Sequence, residues 1–422
     1  MLHRRMQLST TLAAFAFVIS AATASSAADV PELDLKFGAL SGLSGDLAQS
    51  GQPWLEAARI GVEDLKARID KMGYGDKIRI SFVGGEDSQG NAQGGIEAAK
   101  KLVSVDGANI IIGDFFSSVT VAAAQSVFIP QRIIDFTGGT APSITDLNKK
   151  VGATWMWRMA PPDSLQGAVV AKLIGDAVGK DKTINVAGRN DTYGVGLVDA
   201  FKEAWTKGGG KIGASVIYNP DSPTLDTEAQ QLAAGKPDGW FIVSFCGDWG
   251  KLKGPLQRTG EWDPKRTFGG DALGGCPKPN ETIAGMRSTR GDFVSGESNA
   301  DWVALFKSKS KVPFSSFSDE AFDPPYIALL AALKARSSDP DAIREQLVAV
   351  TNGTGPKCTF ANFEVCVKAV LDGETPHFEG ATGPIAFNQL GDPSIVSYVV
   401  LQSQGDGAVD DPVVGKLHIG GE

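Results

Sequence analysis

Between Leu35 and Phe245 the chain alternates short apolar strands with amphipathic helices, a rhythm that few folds accept. Leu35 to Leu40 alternates as a strand does. A polar Gly/Ser stretch, Ser41 to Gly51, precedes a helix expected to open with Pro53 near its first turn. Its buried stripe is Ala58, Val62, Leu65, Ile69 and Met72, spaced at helical intervals, and Gly73 and Gly75 stop it. Ile78, Ile80 and Phe82 form the next strand, and a helix around Asn91 to Val105 buries Ile96, Ala99, Leu102 and Val103. The run Ile110-Ile111-Ile112 is apolar without a break, as suits a strand covered on both faces. Strands at 133–136, 184–187, 212–217 and 240–245 follow, with helices at 164–178, 195–207 and 224–234. Regular βα alternation predicts an α/β protein with parallel sheets flanked by helices. At roughly 100–200 residues per domain, 422 residues predict two domains or one large one. A closed eight-fold barrel stays open as the lesser alternative. The Gly-rich tail after Leu401 reads as an extended or poorly ordered end.

Residues 1–28 read as a secretory signal peptide. His3, Arg4 and Arg5 form a positive start, Leu12 to Ala22 a short apolar core, and Ala22-Thr23-Ala24 and Ser26-Ala27-Ala28 offer cleavage sites. The competing reading, a membrane anchor, needs a longer apolar run. Export places the mature chain in the periplasm. Removing the segment leaves 38 basic against 49 acidic residues, a charge of −11. No basic stripe exists for a phosphate backbone, so nucleic acid is excluded as a partner. Of three histidines, His377 and His418 remain, which excludes a multi-histidine metal site or a network of several imidazoles.

Cys246, Cys276, Cys358 and Cys366 are an even set, and in an exported chain an even set favours disulfides. Three connectivities are open; Cys246–Cys276 with Cys358–Cys366 is preferred, the latter enclosing seven residues. A zinc site is the competing reading, without C-x-x-C spacing or a histidine pair to support it.

In open parallel sheets ligands bind beyond the carboxyl ends of the strands. Three such places hold small polar residues. Ser117 and Ser118 stand between the isoleucine strand and a following helix, where free N–H groups suit a carboxylate, or where a serine simply caps the helix. Thr137-Gly138-Gly139-Thr140-Ala141-Pro142 follows the strand at 133–136; it can bring backbone close to a ligand or be an ordinary turn. Asp271 lies between glycine pairs, 269–270 and 274–275, and reads either as an acceptor for an ammonium or as a turn residue.

The order of these segments resembles a known family. Gly38-Ala39-Leu40-Ser41 with Ser44-Gly45-Asp46-Leu47-Ala48, then Ser117-Ser118-Val119-Thr120, Gly138-Gly139-Thr140-Ala141-Pro142, Asp191-Thr192-Tyr193-Gly194-Val195-Gly196 and the glycine-flanked Asp271 look like the type I periplasmic binding proteins of ABC transporters, in the leucine/isoleucine/valine-binding branch. The resemblance spans nearly the whole mature chain. It implies two doubly wound parallel-sheet lobes joined by a three-crossover hinge that closes over a ligand. The expected lobes are 29–157 with 291–380, and 158–290 with 381–422.

It also implies roles. The serine pair and the Gly-Thr loop hold an amino acid's α-carboxylate, which carries over to Ser117, Gly139 and Thr140, with Ser118 beside them. Tyr193 contributes to the pocket from the opposite lobe, and Asp271 takes the ammonium. Relatives place an aromatic ring at the position aligned with Ser50, so the side-chain pocket is expected to be wider or more polar here. Phe245, Cys246 and Trp249 occupy a loop where tyrosines are expected. The insertion around 357–378 has no counterpart.

No G-x-S-x-G elbow, Walker A loop or G-x-G-x-x-G fingerprint occurs, and Gly194-Val195-Gly196 lacks the third glycine. The chain is therefore expected to be a binding protein and not an enzyme, without cofactor or metal, although a two-carboxylate mechanism stays open. The expected partners are a small amino acid or related compound and an ABC-transporter permease, with the receptor a monomer. Alternatives are a small aromatic or aliphatic carboxylate, an amide, or a ligand sensor of the same fold.

Overall fold

The structure is a computed structural model describing residues 29–273, 283–292, 297–315, 317–394, 396–404 and 412–419. The proposed signal lies outside them.

The first sheet is parallel throughout. Its strands are β1 (Leu33–Ser41), β2 (Ile78–Asp87), β3 (Ile110–Ile112), β4 (Ile134–Thr137) and β5 (Met156–Arg158), in the spatial order β2-β1-β3-β4-β5. Each of the four connections between its successive strands carries a helix, as parallel pairing requires. Ile110, Ile111 and Ile112 are all fully buried, which explains their unbroken apolarity.

The second sheet begins with β6 (Thr183–Arg189), β7 (Lys211–Tyr218), β8 (Gly239–Val243), β9 (Thr267–Gly269) and β10 (Arg287–Gly291). A small third sheet follows in the chain: β11 (Lys357–Thr359), β12 (His377–Gly380) and β13 (Gly383–Pro384). The chain then returns to the second sheet as β14 (Val396–Gln402) and β15 (Val413–Ile419). The full order there is β15-β14-β10-β9-β8-β6-β7, with β14 antiparallel to both of its neighbours and the other strands parallel to one another. The tail after Leu401 thus supplies an edge strand, which its glycines concealed.

Helix boundaries follow the sequence reading closely, with two corrections. The first helix starts at Ala48, not near Pro53, so Pro53 lies inside it. Close docking offsets the lost hydrogen bond. A Cβ at Gly51 would lie 1.8 Å from the Gly42 carbonyl oxygen, and the Ser41 hydroxyl donates to the Gly51 carbonyl at 3.0 Å. Second, Cys246 and Trp249 lie on a helix, Cys246–Arg258, and not in a loop. Cys246 is disulfide-bonded, but its expected partner Cys276 lies outside the described residues. Cys358–Cys366 is formed as expected, tying β11 to the helix Phe363–Leu371. The insertion is therefore a small stapled layer, and Phe363 and Phe378 sink into the core around the first sheet.

Chain segments after the second sheet's β10 return to the first core. Helix Pro324–Ala335 is apolar nearly all round and is buried from Pro324 to Leu333. Ala381, Ile385 and Phe387 join the same core, whereas Tyr398 packs with Val169 beside the second sheet.

Arg158, at the end of β5, clasps this arrangement. Its fully buried guanidinium donates to Asp392 at 2.9 Å, to the carbonyls of Gly139 and Ala141 at 3.1 Å each, and to the Thr145 hydroxyl at 2.7 Å. A buried charge pair loses hydration on both sides, so removing one partner strands the other. Arg158→Met is expected to cost about 3–5 kcal/mol in urea unfolding. Arg158→Met with Asp392→Leu should recover most of that loss.

Candidate functional site

The carboxyl ends of three neighbouring strands in each large sheet converge on one cavity. From the first sheet come Ser50 after β1, Phe115 and Phe116 after β3, and Gly138 and Thr140 after β4. From the second come Tyr193 after β6, Phe245 after β8, and Asp271 after β9. The cavity measures about 60 Å³.

Aromatic rings form its walls and close it. Phe116 meets Phe245 edge-on at 5.1 Å between centroids, joining the two sides directly. Phe245 stacks on Tyr193 at 5.3 Å, and the Arg189 guanidinium lies 4.1 Å from the Phe245 centroid. Arg189 is itself held by Asp248 at 3.0 Å, so the Phe245 ring is fixed by packing and by a cation–π contact.

Asp271 is the polar centre. Tyr193 donates its hydroxyl to Asp271 Oδ1 at 2.6 Å, and the Ala272 N–H donates to the same oxygen at 3.0 Å. Burial raises the Asp271 carboxyl above its usual range, with the Tyr193 hydrogen bond opposing that rise. Burial also pushes the Tyr193 phenol well up, and the adjacent carboxylate pushes it further, so the hydroxyl stays a donor. An anion so placed is best satisfied by a cation arriving with the ligand.

The expected carboxylate-binding residues divide. Thr140 lines the cavity, but Ser117, Ser118 and Gly139 are absent from its lining. Ser117 is the first residue of helix Ser117–Ala123, and its side chain caps nothing there. Instead its Oγ accepts the N–H groups of Thr140 and Ala141, each at 3.1 Å. Gly139 donates its N–H to Thr137 Oγ1 at 3.0 Å. The serine therefore shapes the Gly-Thr loop, a role its spacing did not reveal. Ser118 is half-buried.

Glu320 was missed. It lies on a five-residue helix, Ser318–Phe322, all of it buried. Its Oε2 faces the Gly138 backbone: a Cβ at Gly138 would lie 2.9 Å from that oxygen and 2.7 Å from Trp54. Three carboxylates, Asp319, Glu320 and Asp323, precede an almost wholly apolar helix, and that juxtaposition is the signal that could have exposed it. Gln166 and Tyr398 also line the cavity, and no local pattern marks either.

The loop carrying Phe115 and Phe116 depends on buried Asp114. Its carboxylate accepts the Phe116 N–H at 2.9 Å and the Ser88 hydroxyl at 2.5 Å, and its carbonyl accepts the hydroxyls of Thr120 and Thr137.

Residues 34–370 match the model of the periplasmic binding protein family, and the chain belongs to that family. Its fold is the type I periplasmic-binding fold. The chain is similar to the chemotactic signal transduction system substrate-binding protein BasB of Halobacterium salinarum, 25% identical over 299 residues and covering 69% of each chain. It is similar to the Leu/Ile/Val-binding protein BraC3 of Rhizobium johnstonii, 23% identical over 378 residues, covering 88% of this chain and 92% of that one. Among solved structures it resembles the leucine binding protein LivK of Thermotoga maritima, with a TM-score of 0.72 and 19% identity, covering 90% of this chain and 98% of that one. Among the described residues no helix is long and apolar enough to cross a membrane.

Burial lifts the Asp114 carboxyl to about 7. Unfolded, it would titrate near 4, so between those values the native state holds the extra proton and stability falls as pH rises. Relative to Asp114→Asn, the wild type is expected to lose on the order of 2 kcal/mol between pH 5 and pH 8 in urea unfolding.

Proposed function

We propose that this chain is an exported receptor that captures an amino acid or a close relative between two lobes and delivers it to an ABC-transporter permease. The observation that carries this reading is Asp271, half-buried among aromatic rings from both large sheets and gripped by Tyr193, in a cavity that a small ligand would complete. Membership of a solute-binding family, and similarity to a relative named for binding leucine, isoleucine and valine, support the amino acid as ligand class.

In this reading residues 1–28 are a signal peptide and the mature chain works in the periplasm as a monomer without catalysis. One lobe holds 29–157 and the segment from 291, the other 158–290 and the C-terminal strands. The last crossing belongs near residue 394 and not at 381, because Ala381, Ile385 and Phe387 pack in the first core. Ligand would bridge the Phe116 and Phe245 sides, lower the energy of the closed form and present that form to the permease.

Asp271 and Thr140 serve as anchors for ammonium and carboxylate, with Ser50 and Phe245 shaping the side-chain space. Ser117, Ser118 and Gly139 are assigned to holding the loop and not to direct contact. A purely carboxylate ligand fits less well, since Asp271 would repel it.

A thermal-shift screen of amino acids, short carboxylates and amides tests the reading, since a ligand selective for the native state raises Tm. At least one amino acid should do so. Asp271→Asn should weaken it by 30-fold or more, on the order of 2 kcal/mol, and Tyr193→Phe by less. Stabilisation by nitrogen-free carboxylates alone, unaffected by Asp271→Asn, would overturn the reading.

A further inference from the structure

The cavity holds two carboxyl groups, more than one ammonium requires. Asp271 approaches from the second sheet, and Glu320 from the short helix packed on the first core. Glu320 is 1% exposed, and its Oε1 has no hydrogen-bond partner. An unpartnered carboxylate oxygen in such a place costs several kcal/mol unless a charge arrives to meet it. Among the described residues no Lys, Arg or His lines the cavity.

We propose that the ligand carries two cationic groups (a dication in that sense below), with one ammonium held by Asp271 and a second ammonium, amidinium or guanidinium held by Glu320: a basic amino acid or a diamine. The proposal rests on the amino-acid-receptor reading above and narrows its substrate class.

Three further features fit a cation. Phe115, Phe116, Tyr193 and Phe245 offer ring faces and edges around the cavity, and such rings attract a desolvated cation. The donors expected for an anion are partly spent, with the N–H groups of Gly139 and Thr140 engaged by Thr137 and Ser117. The surrounding charge is also acidic. Asp319 adjoins Glu320, and Asp163 is buried near Asp271, whereas Arg290 is the cation that acts on the Asp319 and Glu320 carboxyls. Burial raises Glu320 well above the usual carboxyl range, its Asp319 neighbour adds to the rise, and Asp271 adds again. Each of these costs is relieved by an incoming positive group. Arg290, like Arg189 behind Phe245 and Arg158 near Asp163, does not line the cavity, so among the described residues the charged groups facing the ligand are carboxyls.

The test is isothermal calorimetry on the disulfide-intact protein stripped of ligand, with lysine, ornithine, putrescine, leucine and benzoate as probes. Lysine, ornithine or putrescine should bind at least 10-fold tighter than leucine. Glu320→Gln should weaken that dication about 100-fold, the loss typical of breaking a buried charge pair, while leaving leucine unchanged or improved. Preference for lysine or ornithine over putrescine would identify an amino acid, and the reverse preference a diamine; both support the proposal. A melting curve of ligand-free Glu320→Gln at or above the wild-type Tm would show that the loss comes from the site and not from misfolding. Should Glu320→Gln melt lower, Glu320→Asp must still bind the dication better than Glu320→Gln does, or the proposal falls. Leucine binding as tightly as the dications, with selectivity unchanged in Glu320→Gln, overturns this proposal and leaves the amino-acid reading intact. Binding of benzoate alone, or of none of the probes, overturns both.

Discussion

A carboxylate half-buried between aromatic walls is the constraint around which the rest of this structure is arranged. Asp271 is half-buried and accepts one phenol hydroxyl and one backbone N–H at Oδ1. Those two bonds orient it without neutralising it. The neighbouring rings add low-polarity surroundings, which strengthen any charge that enters. The Phe116–Phe245 contact joins the two sides of the cavity that Asp271 lines.

The two sheets explain why such a point exists. Parallel strands deliver all their carboxyl ends, and all the loops that follow, to one edge of a sheet. Two sheets facing each other at those edges place six loops around a small volume, three from each. The scaffolding behind the loops is polar and buried. Arg158 gathers the carbonyls of Gly139 and Ala141 and reaches Asp392, some 230 residues later in the chain. Asp114 does the same for the loop of Phe115 and Phe116. Neither group faces the cavity, yet both decide where its walls stand.

Much of the fold was legible in the sequence. Ile110-Ile111-Ile112 and the stripe from Ala58 to Ile69 carry their environments in their periodicity, so strand and helix followed directly. The start of the first helix was not legible, because Pro53 signals a first turn and the contact that overrides it, Gly51 against Gly42, is tertiary. The site divided in the same way. Thr140, Tyr193, Phe245 and Asp271 follow strands, where position alone suggests function. Glu320 and Tyr398 reach the cavity from segments far along the chain that only folding brings near. The hydroxyl of Ser117 turns to the Thr140–Ala141 loop and not to the cavity, and nothing local in the sequence says which of the two a hydroxyl faces.

Calorimetry of an amino acid that raises Tm, set against its des-amino analogue of otherwise identical structure, tests the Asp271 account most directly. Binding should fall by at least 100-fold without the amino group. Equal affinity of the two compounds would show that Asp271 does not hold a cation, and the account would fail.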